Sequence, residues 1–364
     1  MRIIQNAAVL TALLGQTASA EDCYALAMSG GGSKGAYEAG VLYGLLSEIP
    51  DKKTMAYDVV TGVSAGSINT AAVILFEKGD EEEMVKFLSD TWSSIVDKDV
   101  YKMWSEGLVK AVTQESGVFD DGPLSAYLLN IVKEKGPIKR KFMVSAVDVN
   151  SGSYVLFSEK NVTTYEEQVK AVVSSSSIPF VFPNQKWSNL HDVLMDGGTV
   201  YNTNLVSAVQ RCREQTSSDK QITIDIINCD SPALQPWSEK DQTVANFLRN
   251  YQIKSYYNSI ADIYRFKQAY PDVNFRYYLQ PSVALSGGLN MLNFNNATNT
   301  WPEQMIGRED GAHAVTKGEG WLFKHMDLWR DSDELQKKWP QLGLYIHHVI
   351  TTDEAKNPEL NFLQ

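Results

Sequence analysis

The chain has 364 residues, of which 43% are hydrophobic and 21% are charged, values that are ordinary for a globular protein with a sizeable core. The formal net charge of −11 argues against a nucleic-acid-binding protein, because phosphate backbones require a basic surface. The same charge disfavours electrostatic docking on anionic lipid but allows hydrophobic insertion into it. Three cysteines are too few for a disulfide-rich scaffold.

The first 20 residues have the three parts of a secretory signal peptide. Arg2 supplies the positive region, residues 7–14 are mainly apolar, and Ala18-Ser19-Ala20 is a small-residue cleavage site. A buried N-terminal helix or strand is the alternative interpretation. No later apolar run reaches the roughly 18 residues of a membrane span. We therefore expect a secreted or lumenal mature chain without a transmembrane span, glycosylated at the candidate sequons that begin at Asn161 and Asn296.

Apolar strands alternate with helical patterns after residue 20, which predicts a three-layer α/β/α fold with a mostly parallel central sheet. The predicted strands are 24–28, 57–60, 141–149, 193–195, 221–228 and 274–279, with 153–157 forming a hairpin on 141–149. The predicted helices are 36–46, 64 to about 79, 81–92, 164–173 and 244–270.

A composition shift at residues 318–320 divides the predicted catalytic domain, 21–318, from a C-terminal extension, 319–364. The tail from residue 321 has a less regular pattern than the rest of the chain. We expect Trp321, Trp329 and Trp339 to pack this extension onto the domain. The oligomeric state stays open.

The cysteine positions favour one pairing. Cys23 begins the first strand, and Cys212 lies near the end of a helix that runs antiparallel to the strands, so both should lie at one edge of the sheet. Cys229 ends a later strand and should lie at the opposite edge, over about 20 Å away and too far for a disulfide. A Cys23–Cys212 bridge is therefore the predicted pairing, and buried free thiols are the alternative.

The segment Gly62-Val63-Ser64-Ala65-Gly66 lies between a predicted strand and a predicted helix, which is the context of a nucleophile elbow. Such a turn crowds the backbone, so the residues two before and two after the serine must be small. The helix N-terminus next to Ser64 favours developing negative charge. The motif by itself is also common in glycine-rich turns that carry no chemistry.

A second glycine-rich segment, residues 29–35, also joins a strand to a helix. Successive glycines let main-chain N–H groups converge on an anion, which in acyl transfer is an oxyanion hole. Gly30, Gly31 and Gly32 are its candidate members, and Lys34 can add charge or hold the loop. A Walker phosphate loop is excluded because Gly35, rather than Ser or Thr, follows the lysine. A dinucleotide fingerprint is disfavoured because the next strand leads into the elbow without an acidic residue.

The third segment, Asp196-Gly197-Gly198, follows a short predicted strand. It is either a simple turn or a turn that brings a carboxylate base within hydrogen-bond reach of Ser64. We expect the ends of all three strands to converge on the C-terminal edge of the sheet, where open α/β sheets hold their sites.

In this order, the three segments resemble the patatin-like phospholipase family, which has a glycine-rich anion loop, a G-x-S-x-G elbow and a D-G-[G/A] turn. Further matches are Ser177-Ile178-Pro179, Phe182-Pro183 and Asn202. The chain departs from the family at Ser29, where Asp is frequent, and at Asn204, where Pro is usual. The resemblance extends over residues 24–307, and the tail after Gly320 matches no pattern.

The resemblance implies a phospholipase A or lysophospholipase with a Ser64–Asp196 dyad and an acyl-enzyme intermediate. It implies that Gly62, Gly66, Gly197 and Gly198 support the two turns. The implied substrate is a lipid at a membrane or micelle surface, and no cofactor or metal is expected. Asp120-Asp121-Gly122 lacks the acidic spacing of a calcium loop, so we expect hydrolysis without Ca²⁺.

Two other functions stay open at this point. A Ser–His–Asp esterase is compatible with chain order, because four histidines follow Asp196 and His191 precedes it. A catalytically quiet lipid-binding or storage protein is compatible with the scaffold. The aromatic residues between the elbow helix and strand 141–149 either cover an acyl chain or pack in the core: Tyr101, Trp104 and Phe119.

Overall fold

A computed structural model describes residues 21–107, 113–188, 192–230 and 265–330, together with 249, 253, 262–263 and 332. The predicted signal peptide, most of the predicted helix 244–270 and residues 333–364 lie outside this part. Within it, the predicted fold class is confirmed: a mostly parallel sheet carries helices on both faces.

The strands of the described part are β1 (Cys23–Met28), β2 (Val59–Gly62), β3 (Lys102–Met103), β4 (Phe119–Asp120), β5 (Lys141–Asp148), β6 (Tyr154–Phe157), β7 (Gln185–Trp187), β8 (Asp192–Asp196), β9 (Ile222–Ile227) and β10 (Asn274–Leu279). The helices are α1 (Gly35–Glu48), α2 (Ala65–Val73), α3 (Glu81–Ser94), α4 (Asp97–Val100), α5 (Gly122–Lys135), α6 (Tyr165–Ser175), α7 (Leu205–Cys212), α8 (Trp301–Lys317) and α9 (Trp321–Arg330). Among these helices, none is long and apolar enough to cross a bilayer.

The strand order in the main sheet is β10-β9-β1-β2-β5-β8-β7, with β6 paired to β5. The strands from β10 to β5 are parallel, whereas β6, β7 and β8 run antiparallel to their neighbours. The three predicted strand ends do meet at one edge, although β8 reaches it as an antiparallel strand. On β5, this strand pairs with the last three residues, and Asp196 lies opposite Ala146.

The register explains why Asp196 lies next to Ser64. Gly62 pairs with Val144 of β5, so Ser64 leaves β2 two residues beyond that point. Asp196 pairs with Ala146, also two residues beyond Val144 on the same strand. The short antiparallel strand β8 thus ends at the same level of the sheet as the turn that carries Ser64.

The two faces of β1 contribute to two hydrophobic cores. Leu26 and Met28 face a core shared with helices α1, α2 and α3, whereas Ala25 and Ala27 face a core shared with α7. Alternate side chains of a strand point to opposite faces, so a strand covered on both sides is apolar throughout. This central position makes β1 a rigid base for the glycine-rich segment that follows it.

Helices α1 and α8 approach each other backbone to backbone. A Cβ atom added to Gly40 would lie 2.1 Å from the carbonyl oxygen of Gln304, and one added to Gly307 would lie 2.2 Å from that of Tyr37. Gly44 and Gly311 are equally crowded. Glycines four residues apart share a helix face, so each helix presents a flat strip to the other. The contact fixes α1, whose first residues follow the glycine-rich segment.

The predicted pairing of Cys23 with Cys212 is confirmed, and Cys229 is a buried free cysteine.

The prediction of an irregular C-terminal tail is wrong for its first residues, because residues 321–330 form α9. Leu322 and Phe323 of this helix are buried, and the Phe323 ring packs on those of Phe275 and Tyr278 in β10. Tertiary packing of an apolar face stabilises a helix whose local sequence pattern is weak.

Candidate active site

Ser64 occupies a strained turn between β2 and α2. Its φ is 53° and its ψ is −119°, and such a positive φ is uncommon for a residue with a side chain. A Cβ atom on Gly62 would lie 2.1 Å from the Gly66 carbonyl oxygen, and one on Gly66 would lie 2.6 Å from the Met28 carbonyl oxygen. Both positions therefore exclude side chains, as the elbow prediction requires.

Asp196 faces Ser64 from the end of β8. Its carboxylate forms a side-chain hydrogen bond with Ser64, and its Oδ1 accepts the Gly198 N–H at 2.7 Å. Burial raises the pKa of Asp196 to about 7, although the hydrogen bonds from Ser64 and Gly198 act in the opposite direction. The structure thus contains a buried carboxylate that changes ionisation near neutral pH while in contact with the serine hydroxyl.

The glycine-rich segment borders the same serine. The N–H of Gly30 is engaged, because it donates to the main-chain and side-chain oxygens of Asn202 at 3.1 and 3.2 Å. Among the described residues, none accepts a hydrogen bond from the N–H of Gly31 or Gly32. Of the three predicted oxyanion donors, the Gly30 N–H is thus engaged within the protein, whereas the N–H groups of Gly31 and Gly32 have no acceptor in the described part.

Lys34 forms a contact that suits its predicted role of holding the loop. Its Nζ donates to the carbonyl oxygen of Cys229 at 3.4 Å, while the Cys229 N–H donates to the Ser29 hydroxyl at 2.8 Å. Both bonds join the loop to the end of β9. Lys34 therefore holds the glycine loop to the sheet.

The run Ser174–Ser177 carries contacts that its sequence did not reveal. Ser175 Oγ accepts the N–H of Ser64 at 3.0 Å, and the carbonyl oxygen of Ser177 accepts the N–H of Asp196 at 2.9 Å. The end of α6 thus holds Ser64 and Asp196 together. The one available signal was Ser177-Ile178-Pro179, which resembles a family segment but indicates no contact.

The sequence also gave no indication that Tyr154 lies near the site. Ser145 Oγ donates to its hydroxyl at 2.6 Å, and this hydroxyl donates to the Tyr201 carbonyl oxygen at 3.1 Å. Burial raises the pKa of Tyr154, and the nearby charge of Asp196 raises it further. Tyr154 therefore lies beside the buried carboxylate as a neutral hydrogen-bonding group.

The described residues do not supply a histidine to this centre. Asp196 forms its hydrogen bonds with Ser64 and Gly198, and His313 lies exposed on α8. Three other histidines lie outside the described part: His191, His347 and His348. His325 lies in α9, but its side chain is not described.

The aromatic residues between α4 and β4 pack together. The Tyr101 ring lies 4.7 Å from that of Phe119 and 6.2 Å from that of Phe182, while Trp104 Nε1 donates to the Gly117 carbonyl oxygen at 3.0 Å. All three predicted aromatics are partly buried. Tyr101 and Phe119 pack against the hydrophobic core, which agrees with the second of the two interpretations.

Acidic residues near β4 form protein contacts. Asp120 pairs with Lys102 and accepts the Gly122 N–H, and Asp121 accepts a hydrogen bond from Gln185 at 2.8 Å. In the described ranges, no group of three or more acidic, histidine or cysteine side chains is arranged to bind a metal ion.

A sequence model of the family described as Patatin-like phospholipase matches residues 26–209, which include both Ser64 and Asp196. Similar solved structures include VipD from Legionella pneumophila, at 12% identity and a TM-score of 0.39 over 87% of this chain and 72% of VipD. Another is the ExoU–SpcU complex of the Pseudomonas aeruginosa type III secretion system, at 14% identity and a TM-score of 0.33. That match covers 95% of this chain and 61% of the other chain. No curated protein sequence matches.

Proposed function

Because the chain belongs to the patatin-like phospholipase family, we propose that it is a lipid acyl hydrolase of the phospholipase A or lysophospholipase type. One observation carries the proposal: the buried carboxylate of Asp196 faces the Ser64 hydroxyl, and the end of α6 holds both residues through the Ser64 N–H and the Asp196 N–H. Gly30 packs against Ser64, and the N–H groups of Gly31 and Gly32, which follow it in the loop, have no acceptor in the described part, so we infer that they bind the developing anion.

In the proposed reaction, Ser64 Oγ attacks the ester carbonyl carbon while Asp196 accepts the hydroxyl proton. The N–H groups of Gly31 and Gly32 stabilise the negative oxygen of the tetrahedral intermediate. The intermediate collapses, and the leaving alcohol takes the proton from Asp196. Water then attacks the acyl-Ser64 ester with Asp196 as the base, which releases the fatty acid and restores the serine.

The environment of Asp196 supports this use of a carboxylate. An ordinary aspartate, with a pKa of about 3.9, is a weak base at neutral pH. Burial raises the pKa of Asp196 to about 7, which matches its basicity to the pH at which it would act. The dyad therefore has a physical basis that does not require a histidine.

The pH dependence of hydrolysis tests this assignment. Asp196 accepts a proton only when ionised, so kcat/KM should rise about tenfold per pH unit below about pH 7 and level off above it. The measurement is the initial rate on a soluble ester between about pH 5 and about pH 9, with circular dichroism confirming the fold throughout. A flat profile down to about pH 5 would contradict a raised pKa for the base.

A lipid panel tests the activity itself. Phospholipid, galactolipid and neutral glycerolipid, offered in mixed micelles, separate the substrate classes that suit this chemistry. A serine-directed fluorophosphonate probe decides between an enzyme and a quiet lipid-binding protein. Labelling at Ser64 supports the enzyme, and folded protein that hydrolyses no lipid and stays unlabelled supports the binding protein.

We further propose that the protein matures in the secretory pathway. A disulfide such as Cys23–Cys212 suits an oxidising compartment. Asn161 is exposed, whereas Asn296 is only partly exposed, so Asn161 is the better glycan acceptor. In eukaryotic expression, glycosidase treatment should lower the mass of the secreted protein, and Asn161→Gln should remove most of that shift. Retention of residues 1–20 in an unglycosylated protein would contradict secretion.

A further inference from the structure

Asn202 joins the glycine loop to the turn that follows Asp196. Its Nδ2 donates to the Gly30 carbonyl oxygen at 3.2 Å, and its Oδ1 accepts the Gly30 N–H at 3.2 Å. Its own carbonyl oxygen accepts the same N–H at 3.1 Å. Both polar groups of the Gly30 main chain are thus bonded to one residue, 172 positions away in the sequence.

Asn202 also fills the space between the two glycine-rich turns. A Cβ atom on Gly30 would lie 2.4 Å from Asn202 Oδ1 and 2.9 Å from Ser64 Cβ, and one on Gly198 would lie 2.8 Å from Asn202 Oδ1. The side-chain amide is therefore packed directly against Gly30 and Gly198. Neither turn can move toward the other, because the amide separates them, and the hydrogen bonds prevent Gly30 from moving away.

We propose that Asn202 is a positioning residue that holds the glycine loop so that the N–H groups of Gly31 and Gly32 point at the carbonyl attacked by Ser64. Asn202 acts through Gly30 and does not touch the reacting atoms. The inference rests on the proposed hydrolase function. An oxyanion hole stabilises the transition state only when its donors are fixed beforehand, so loosening Gly30 reduces kcat more than substrate binding.

Two substitutions test the hold on the loop. Asn202→Ala removes both side-chain hydrogen bonds to Gly30 and should lower kcat about 10- to 100-fold. This decrease is no larger than the one expected from removing an oxyanion donor itself. KM should change by less than about threefold. Asn202→Asp keeps the shape and the acceptor but loses the donor to Gly30, so it should lower kcat as well. It tests the same hold if Asn202→Ala does not fold.

The pH profile separates this role from an effect on the base. In Asn202→Ala the plateau of kcat should fall while the pH midpoint set by Asp196 stays unchanged, because the Gly198 N–H still bonds that carboxylate. In Asn202→Asp the added negative charge should move the midpoint to higher pH. An unchanged plateau with a shifted midpoint in Asn202→Ala would place the action of Asn202 on Asp196 and overturn the proposal.

Asn204→Ala is the matched control. Asn204 caps α7, since its Oδ1 accepts the Ser207 N–H at 3.1 Å, and within the described part its side chain forms no hydrogen bond with residues 29–35, 62–66 or 196–198. Its loss should lower the melting temperature and leave kcat of the folded protein unchanged. An equal fall of kcat in both alanine variants would show a merely structural role for Asn202.

Hydrogen exchange supplies a readout that does not need activity. Amides in residues 29–35 should exchange faster in Asn202→Ala than in wild type, and unchanged in Asn204→Ala. If wild type hydrolyses no ester, the proposed function fails, and exchange still decides whether Asn202 holds the loop. Equal exchange in Asn202→Ala and wild type would show that it does not.

Discussion

Ser64→Ala and Asp196→Asn should each lower kcat for lipid ester hydrolysis about a thousandfold or more. The alanine removes the nucleophilic oxygen, and the asparagine keeps the shape of the carboxylate but cannot accept the serine proton. The two residues act as one unit, so the double variant should be no slower than the slower single variant. Rates on the best substrate of the lipid panel, with melting temperatures to show folding, provide the measurement.

Exposed residues of the same types provide the controls. Ser47→Ala on α1 and Asp90→Asn on α3 lie on the surface and should retain wild-type kcat. Histidine variants decide the competing triad, because loss of activity in one folded histidine variant, with activity retained in Asp196→Asn, would establish a Ser–His mechanism. Asp196→Asn with wild-type rates and no sensitive histidine would remove the proposed base altogether.

Gly307→Ala should destabilise the protein, although alanine normally stabilises a helix by about 1 kcal/mol relative to glycine. The added Cβ would lie 2.2 Å from the Tyr37 carbonyl oxygen, which is main chain and cannot rotate away. Helix α8 must then move off α1 and lose packing along the strip of four glycines. We expect a net loss of about 2 kcal/mol, the size typical of overpacking a core.

Thermal unfolding measures this effect, with Glu309→Ala as the control on an exposed position of the same helix. The control should change the melting temperature little, whereas Gly307→Ala should lower it by several degrees. A melting temperature at or above wild type in Gly307→Ala would mean that α1 and α8 can separate without loss. A fall in kcat beyond the loss of folded protein would show that the position of α1 also controls the glycine loop.

Much of the site follows from local geometry and could be predicted. The tight turn around Ser64 excludes side chains at Gly62 and Gly66, and this requirement is expressed within five residues. The glycine loop and the turn after Asp196 are equally short signals, and their order along the chain indicated the family. The Cys23–Cys212 pairing followed from the placement of one strand and one helix.

Other features depend on residues far apart in the chain. The direction of β8 is set by its pairing with β5, and no local pattern distinguishes a short antiparallel strand from a parallel one. The four-residue spacing of Gly307 and Gly311 is visible in the sequence. It indicates a close helix contact only once Gly40 and Gly44 are known to lie on the helix that packs against it. The roles of Ser175 and Ser177 appeared only when α6 was placed beside both turns.

The sequence by itself therefore determined the chemical groups: a serine in a turn that only glycines allow, an aspartate at a second turn, and a loop rich in main-chain donors. Tertiary structure decided how they act. It buried Asp196, which raises its pKa to about 7, and it bonded the Gly30 N–H to Asn202, whereas the N–H groups of Gly31 and Gly32 have no acceptor in the described part. The physical reason is that steric demands of a turn act over a few residues, whereas burial and hydrogen-bond partners depend on which distant segments pack together.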